Sequence, residues 1–155
     1  MTVNSFDPAQ NGWEMTQYDG FVGLVGPFWK RENADGSTSH GFEAEERHVN
    51  LLGVVQGGML MTFADRSLGL EAWKAAGDQP STTVQFNMNF IAAAQIGSFV
   101  EVTPVVTRAT RSLIFMEGRL VNGETELATA TGVWKVVWRG PKAATSEARE
   151  RAAPV

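Results

Sequence analysis

The sequence predicts an α+β domain in which an antiparallel sheet wraps around one long central helix. Three observations carry this reading. A charge-free stretch with one polar residue, Met59 to Ala64, begins just after Gly57-Gly58, and the helix it opens runs to about Ala76. Beyond it, Val84, Phe86, Met88 and Phe90 alternate with Gln85, Asn87 and Asn89, the period of two expected of a strand. Near the end, Asn122-Gly123 separates two apolar runs, a short-range hairpin signal of the strongest kind.

Taken in order, residues 1–20 mix polar residues with Trp13, Met15 and Tyr18 and read as an N-terminal arm, either a short helix or irregular. Phe21 to Glu32 reads as a strand bent at Gly23, Gly26 and Pro27. Asn33-Ala34-Asp35-Gly36 has turn chemistry, and Thr38 to Glu46 returns as its hairpin partner. The helix follows from Gly57 to about Ala76, with Gly77 suited to its C-terminal cap and Pro80 blocking continuation. After the alternating strand, Gly97 marks a turn, and Val100 to Val106 forms a strand whose Pro104 cannot donate to a ladder, so an edge or bulge is expected there. Leu113 to Val121 and Glu126 to Trp138 are the last two strands. The domain is therefore expected over residues 21–140, with an Ala- and charge-rich flexible tail over 141–155. Apolar residues remain for both faces of the sheet, so a second subunit is expected to cover part of it.

Composition narrows the function. Thirteen Lys+Arg against seventeen Asp+Glu give a net charge of −4, which offers no basic footprint for nucleic acid. There is no cysteine, and His40 and His48 are the only histidines, without acidic neighbours at ligand spacing. Thiolate chemistry is excluded, a multi-histidine metal centre or a His-dependent triad has little material, and both histidines are expected to be non-catalytic. No metal and no cofactor are expected. Neither a signal-peptide pattern nor an apolar run of about 20 residues is evident, so a cytoplasmic protein without membrane partners is expected.

Candidate chemistry concentrates around residues 47–65. Gly57 and Gly58 open the helix, where free N–H groups and the positive end of the dipole coincide and glycine lets another molecule approach closely. An oxyanion forming there would be stabilised, although a Gly-Gly pair equally serves a plain loop-to-helix turn. Asp65 lies two turns into the apolar helix, with Met61, Thr62, Leu68 and Gly69 as its neighbours on that face. A partly desolvated carboxylate there could act as base or nucleophile, or could be a surface acid paired with Arg66. Asn50 could donate to a carbonyl or shape its turn, and Gln56 could serve a ligand or the loop. Thr83 could hold a water or simply enter its strand. Arg108 and Arg111, flanking the turn at Ala109-Thr110, could meet phosphate or remain solvated. Phe63, Leu68, Phe86 and Phe90 could line an apolar pocket or belong to the core.

The ordered set Asn50-x-x-Gly53-x-x-Gln56-Gly57-Gly58, then Met59 to Asp65, resembles the hotdog-fold acyl-CoA thioesterases, most closely the phenylacetate-degradation type. Thr83 to Phe90, the Gly97 turn and Ala128-Thr129-Ala130-Thr131-Gly132 extend the resemblance across about residues 20–138. It implies the hotdog fold and hydrolysis of an acyl-CoA thioester, with an active site straddling the interface of a homodimer or homotetramer. It further implies that Asn50 and the Gly57 N–H polarise the carbonyl and that Asp65 of the partner subunit supplies the base or nucleophile. Thr83 would help position water, and basic residues such as Arg108 and Arg111 would meet the nucleotide phosphates. Gln56 and Gly58 would line the substrate site. One departure stands out: Gln56 occupies the place of the family's histidine, and glutamine donates a hydrogen bond but does not titrate near neutrality. That substitution keeps open a second expectation, a non-catalytic acyl-CoA binder. A hotdog hydratase is disfavoured, because its Asp/His pair has no counterpart.

Overall fold

The computed structural model describes residues 6–137 of the chain. The expected tail, 141–155, and Trp138 lie outside the described residues. Eight strands form one wholly antiparallel sheet: β1 (Glu14–Thr16), β2 (Phe28–Glu32), β3 (Thr38–Glu43), β4 (Ser81–Phe90), β5 (Phe99–Val102), β6 (Val105–Ala109), β7 (Leu113–Asn122) and β8 (Thr125–Val136). Their order is β1-β2-β3-β5-β7-β8-β4, with β6 also paired to β7. Two α-helices accompany them, α1 (Gly20–Val25) and α2 (Gly57–Ala75), and α2 packs on β3, β4, β6, β7 and β8. This is the hotdog arrangement, a curled antiparallel sheet holding one long helix. No helix among the described residues is long and apolar enough to cross a membrane.

The helix sits where its sequence demands. Met59, Leu60, Phe63, Ala64, Leu68 and Ala72 are buried, joined in one core by Phe42, Val100, Val102, Ile114, Met116, Leu120, Leu127 and Trp134 from the sheet. The apolar face of α2 is thus removed from water along most of its length, the dominant favourable contribution to such a fold. Gly69 matters to this packing, because a Cβ there would lie 3.0 Å from the Trp134 indole nitrogen. A smaller cluster of Trp13, Trp29 and Phe99 forms beside β2.

Two elements differ from the sequence-based expectation. The run Phe21 to Val25 lies in a six-residue helix, Gly20–Val25, not in the first half of a bent strand, and Gly26 and a cis Pro27 separate it from β2. Second, the strand expected from Val100 to Val106 is two, β5 and β6, interrupted at Thr103-Pro104. Within residues 1–20, Glu14–Thr16 joins the sheet as strand β1 against Phe28–Lys30.

Candidate active site

The loop before α2 is a small hydrogen-bonded platform. Asn50 N donates to Val54 O at 2.8 Å, and Gly53 N returns to Asn50 O at 3.0 Å. Gly53 has a φ of 79°, a conformation that glycine adopts without the penalty a Cβ brings. Val55 N donates to Ala94 O and Gln56 N to His48 O, both within 2.9 Å. The helix therefore starts at a fixed place, and its first carbonyl, Gln56 O, receives Met59 N and Leu60 N. The N–H groups of Gly57 and Gly58 have no partner among the described residues, as expected of the first positions of a helix. They are two donors at the positive end of a 19-residue dipole.

Asn50 does both things its sequence allowed. Its Oδ1 accepts from Leu52 N at 2.8 Å and from Val54 N at 3.4 Å, which shapes the turn. That leaves the amide Nδ2 as a free donor among the described residues. Gln56 makes no side-chain cap bond and stands exposed in a groove with Gly58, Met59 and Thr62. Phe21 and Arg47 line that groove too, and Gly57 opens onto a second one beside Phe90 and Ile91.

Asp65 and Thr83 meet. Thr83 Oγ1 donates to Asp65 Oδ1 at 2.7 Å, across 18 residues of sequence. The ladder from β4 to β8 slips between Thr83 and Gln85, a bulge at Val84, and such bulges re-aim the neighbouring side chains. Asp65 Oδ2 has no hydrogen-bond partner among the described residues. The pair lies on the wall of a cavity of about 220 Å³ that is also lined by Phe21, Arg66, Trp73 and Trp134. Asp65 is not paired with Arg66, the alternative raised by the sequence; that guanidinium instead stacks over the Tyr18 ring at 4.0 Å.

The expected residues thus fall into two groups. Gln56, Gly57 and Gly58 stand at the start of α2 with Asn50 in the loop before it, and Asp65, which meets Thr83 of β4, stands two turns further on, about 12 Å along the axis at 1.5 Å per residue. Arg108 on β6 and Arg111 in the following turn are exposed and line neither group's cavities. Phe63 and Leu68 belong to the core, whereas Phe86 is half-buried and Phe90 is 54% exposed beside Gly57.

Sequence spacing missed the contacts of both histidines. His40 Nε2 is 2.9 Å from Glu71 Oε1, a carboxylate 31 residues away. His48 accepts from Glu45 N at its Nδ1, so its Nε2 carries the proton and donates to Val25 O at 2.8 Å. Through its ring and its own carbonyl, His48 ties the end of α1 to the start of α2. Near it, at the end of β3, burial raises the Glu43 carboxyl above the usual glutamate value, reinforced by the charges of Glu45 and Asp7.

Comparison with known proteins points to one family. A family model described as the thioesterase superfamily matches residues 52–129. A presumed esterase of Pseudomonas aeruginosa is 34% identical over 112 residues, covering 72% of this chain and 84% of that protein. Human acyl-coenzyme A thioesterase 13 is 25% identical over 118 residues, covering 76% of this chain and 84% of its own length. Among solved structures, zebrafish thioesterase superfamily member 2 superimposes with a TM-score of 0.69 at 25% identity, covering 76% of this chain and 87% of that one.

Proposed function

The chain belongs to the thioesterase superfamily, and from that premise we propose that it hydrolyses acyl-CoA thioesters to the free acid and CoA. The observation that carries the reading is the Thr83-to-Asp65 hydrogen bond at the wall of a cavity. One carboxylate oxygen is held, and the other is left to take a proton. In the proposed reaction a water oxygen adds to the thioester carbonyl carbon while Asp65 accepts that water's proton. The oxyanion so formed receives the Gly57 N–H and the Asn50 Nδ2–H. Collapse of the tetrahedral intermediate breaks the C–S bond, and the proton on Asp65 passes to the departing thiolate. General-base assistance contributes about 10²–10⁴ in rate and an oxyanion donor about 10²–10³, enough between them for an ester with so good a leaving group.

The two halves of this centre are too far apart on one chain to act on one carbonyl. A homodimer resolves the mismatch when Asp65 of one subunit faces the helix start of the other. The last strand of the sheet, β4, supports that arrangement: its outer edge pairs with no other strand among the described residues, and Val84 and Phe90 are each 54% exposed. A tetramer would be built from such pairs. The nucleotide end of CoA would then lie on the surface, where Arg108 and Arg111 are candidate phosphate contacts.

The decisive measurement is thiol release from a panel of acyl-CoAs. Asp65→Asn is expected to lower it by at least about 10²-fold with the fold retained by circular dichroism. Equal rates for the two proteins would remove Asp65 from the reaction. Gln56, which replaces a titratable histidine, favours a second reading: saturable acyl-CoA binding with no turnover by the wild-type protein would establish a binder instead.

A further inference from the structure

Two hydrogen bonds join α2 to β4 among the described residues, and the proposed reaction uses one of them. That one is the bond from Thr83 to Asp65. The other lies in the last turn of the helix, where the indole Nε1–H of Trp73 donates to Ser81 O at 3.0 Å. Asp65 and Trp73 stand eight residues apart on α2, about 12 Å along its axis. Ser81 and Thr83 stand two residues apart on β4, about 7 Å along the strand. The two bonds thus close a four-sided frame, with helix on one side, strand on the other and a bridge at each end. All four corners line the cavity of about 220 Å³.

The second bridge does what the sheet cannot do. Pairing of Ser81, Thr82 and Thr83 with Val136, Lys135 and Trp134 fixes β4 against β8, but it does not fix the helix against the strand. The chain between them turns in residues 76–80 through Gly77 at φ 69° and Asp78 at φ 62°, and Asp78 N donates back to Trp73 O at 2.9 Å. Pro80 O accepts from Val137 N, just past the end of β8. Carbonyls alternate along a strand, so Ser81 O faces the opposite side, the outer edge of β4 that pairs with no other strand among the described residues. There the indole is its partner. The tolerance at the other bridge is small. Thr83 Oγ1 and Asp65 Oδ1 are 2.7 Å apart, and a separation beyond about 3.5 Å ends the hydrogen bond.

We propose that Trp73 is a positioning residue for the hydrolysis: by tying Ser81 to the last turn of α2, it keeps Thr83 Oγ1 on Asp65 and so fixes the direction in which the second oxygen of that carboxylate meets water. The proposal rests on the hydrolase reading and adds a residue to it. Trp73 touches no reacting atom and acts through Thr83. What it contributes is a donor at one place, beyond the bulk of a ring in a cavity wall.

Trp73→Phe keeps a ring in the wall and removes the donor. For acyl-CoA hydrolysis it is expected to lower kcat by about tenfold while KM stays within about twofold, since substrate is still held and the carboxylate is what has shifted. The same substitution is then made in a Thr83→Val background, where the hydroxyl to be positioned is gone. There Trp73→Phe is expected to change the residual kcat by less than about twofold. Rates are taken per folded protein, well below the melting transition of each variant, so that lost stability does not enter them. A wild-type kcat in Trp73→Phe, a loss confined to KM, or an equal loss of kcat in both backgrounds overturns the proposal. A crystal structure of Trp73→Phe gives a second reading that needs no turnover: Thr83 Oγ1 is expected to lie more than about 3.5 Å from Asp65 Oδ1. If wild-type protein turns over no acyl-CoA, the hydrolase reading fails, and this distance still decides what Trp73 does. A Thr83-to-Asp65 bond that persists unchanged in the variant removes the role assigned to the indole.

Discussion

At Gly57 the space for chemistry is set by an absent side chain. A Cβ built there lies 3.2 Å from Cζ and 3.3 Å from Cε1 of Phe90, and it would stand in the groove that Gly57 lines with Phe90. Gly57 has no positive φ, and alanine is a better helix former than glycine, so Gly57→Ala has no backbone reason to unfold the protein. We expect kcat/KM for acyl-CoA to fall by about 10–10² while the melting temperature stays within about 3 °C. A matched fall in both quantities would make Gly57 a packing residue and nothing more. The neighbouring Asn50 shows how a single residue can carry both of the roles its type suggests: the oxygen shapes the turn and the nitrogen stays free. Much of this was legible in the sequence, since Asn50, Gln56, Gly57, Gly58 and Asp65 lie within sixteen residues and share one loop and one helix. Trp73 was not legible in the same way. Its significance comes from the carbonyl its indole reaches, at Ser81 on the next strand.

Elements were legible where their hydrogen bonding is local or their pattern long. The helix α2, the alternating β4 and the β7–β8 hairpin all match their sequence signals to within a few residues. The run Phe21 to Val25 misleads because apolar residues with valine and glycine suit a strand in isolation. Asp19 precedes the helix but gives no side-chain cap, so no helix-start signal marks it. A tertiary contact holds α1, Val25 O accepting from the His48 ring, while locally a Cβ on Gly23 would collide with Tyr18 O. The other end of α2 is pinned by a similarly distant contact. The His40 and Glu71 side chains are 9% and 15% exposed, and Lys74 Nζ lies 3.7 Å from the same carboxylate and 2.9 Å from Thr38 Oγ1. His40→Leu removes the shorter partner and leaves a largely buried carboxylate with Lys74 alone. A loss of about 2 kcal/mol is expected from urea unfolding at neutral pH. An unchanged midpoint with an unchanged slope would mean that Lys74 and water suffice.

For the molecule as a whole, the outer edge of β4 and the two-turn gap between Asp65 and Gly57 lead to the same expectation, an assembly in which neither subunit works alone. Two damaged variants should then repair each other. Asp65→Asn and Gly57→Ala chains, refolded together, place an intact Asp65 opposite an intact Gly57 once in each mixed pair. Random pairing predicts recovery of about a quarter of the wild-type rate, well above either variant by itself. Rates that merely average the two would locate the whole centre within one chain. The enclosed helix follows from pattern and burial, whereas the sheet order and the edge left at β4 come from pairings between distant strands that no local pattern encodes.

The continuous run of α2 from Gly57 past Asp65 has one more consequence. This stretch is a ruler with two marks on it. Substitutions that preserve its apolar faces leave the marks where they are, whereas inserting one residue between them rotates everything downstream by about 100° and advances it by about 1.5 Å. Asp65 would swing away from Thr83 even though no residue with a chemical role had changed. Over this segment the chain can vary its letters more freely than their number.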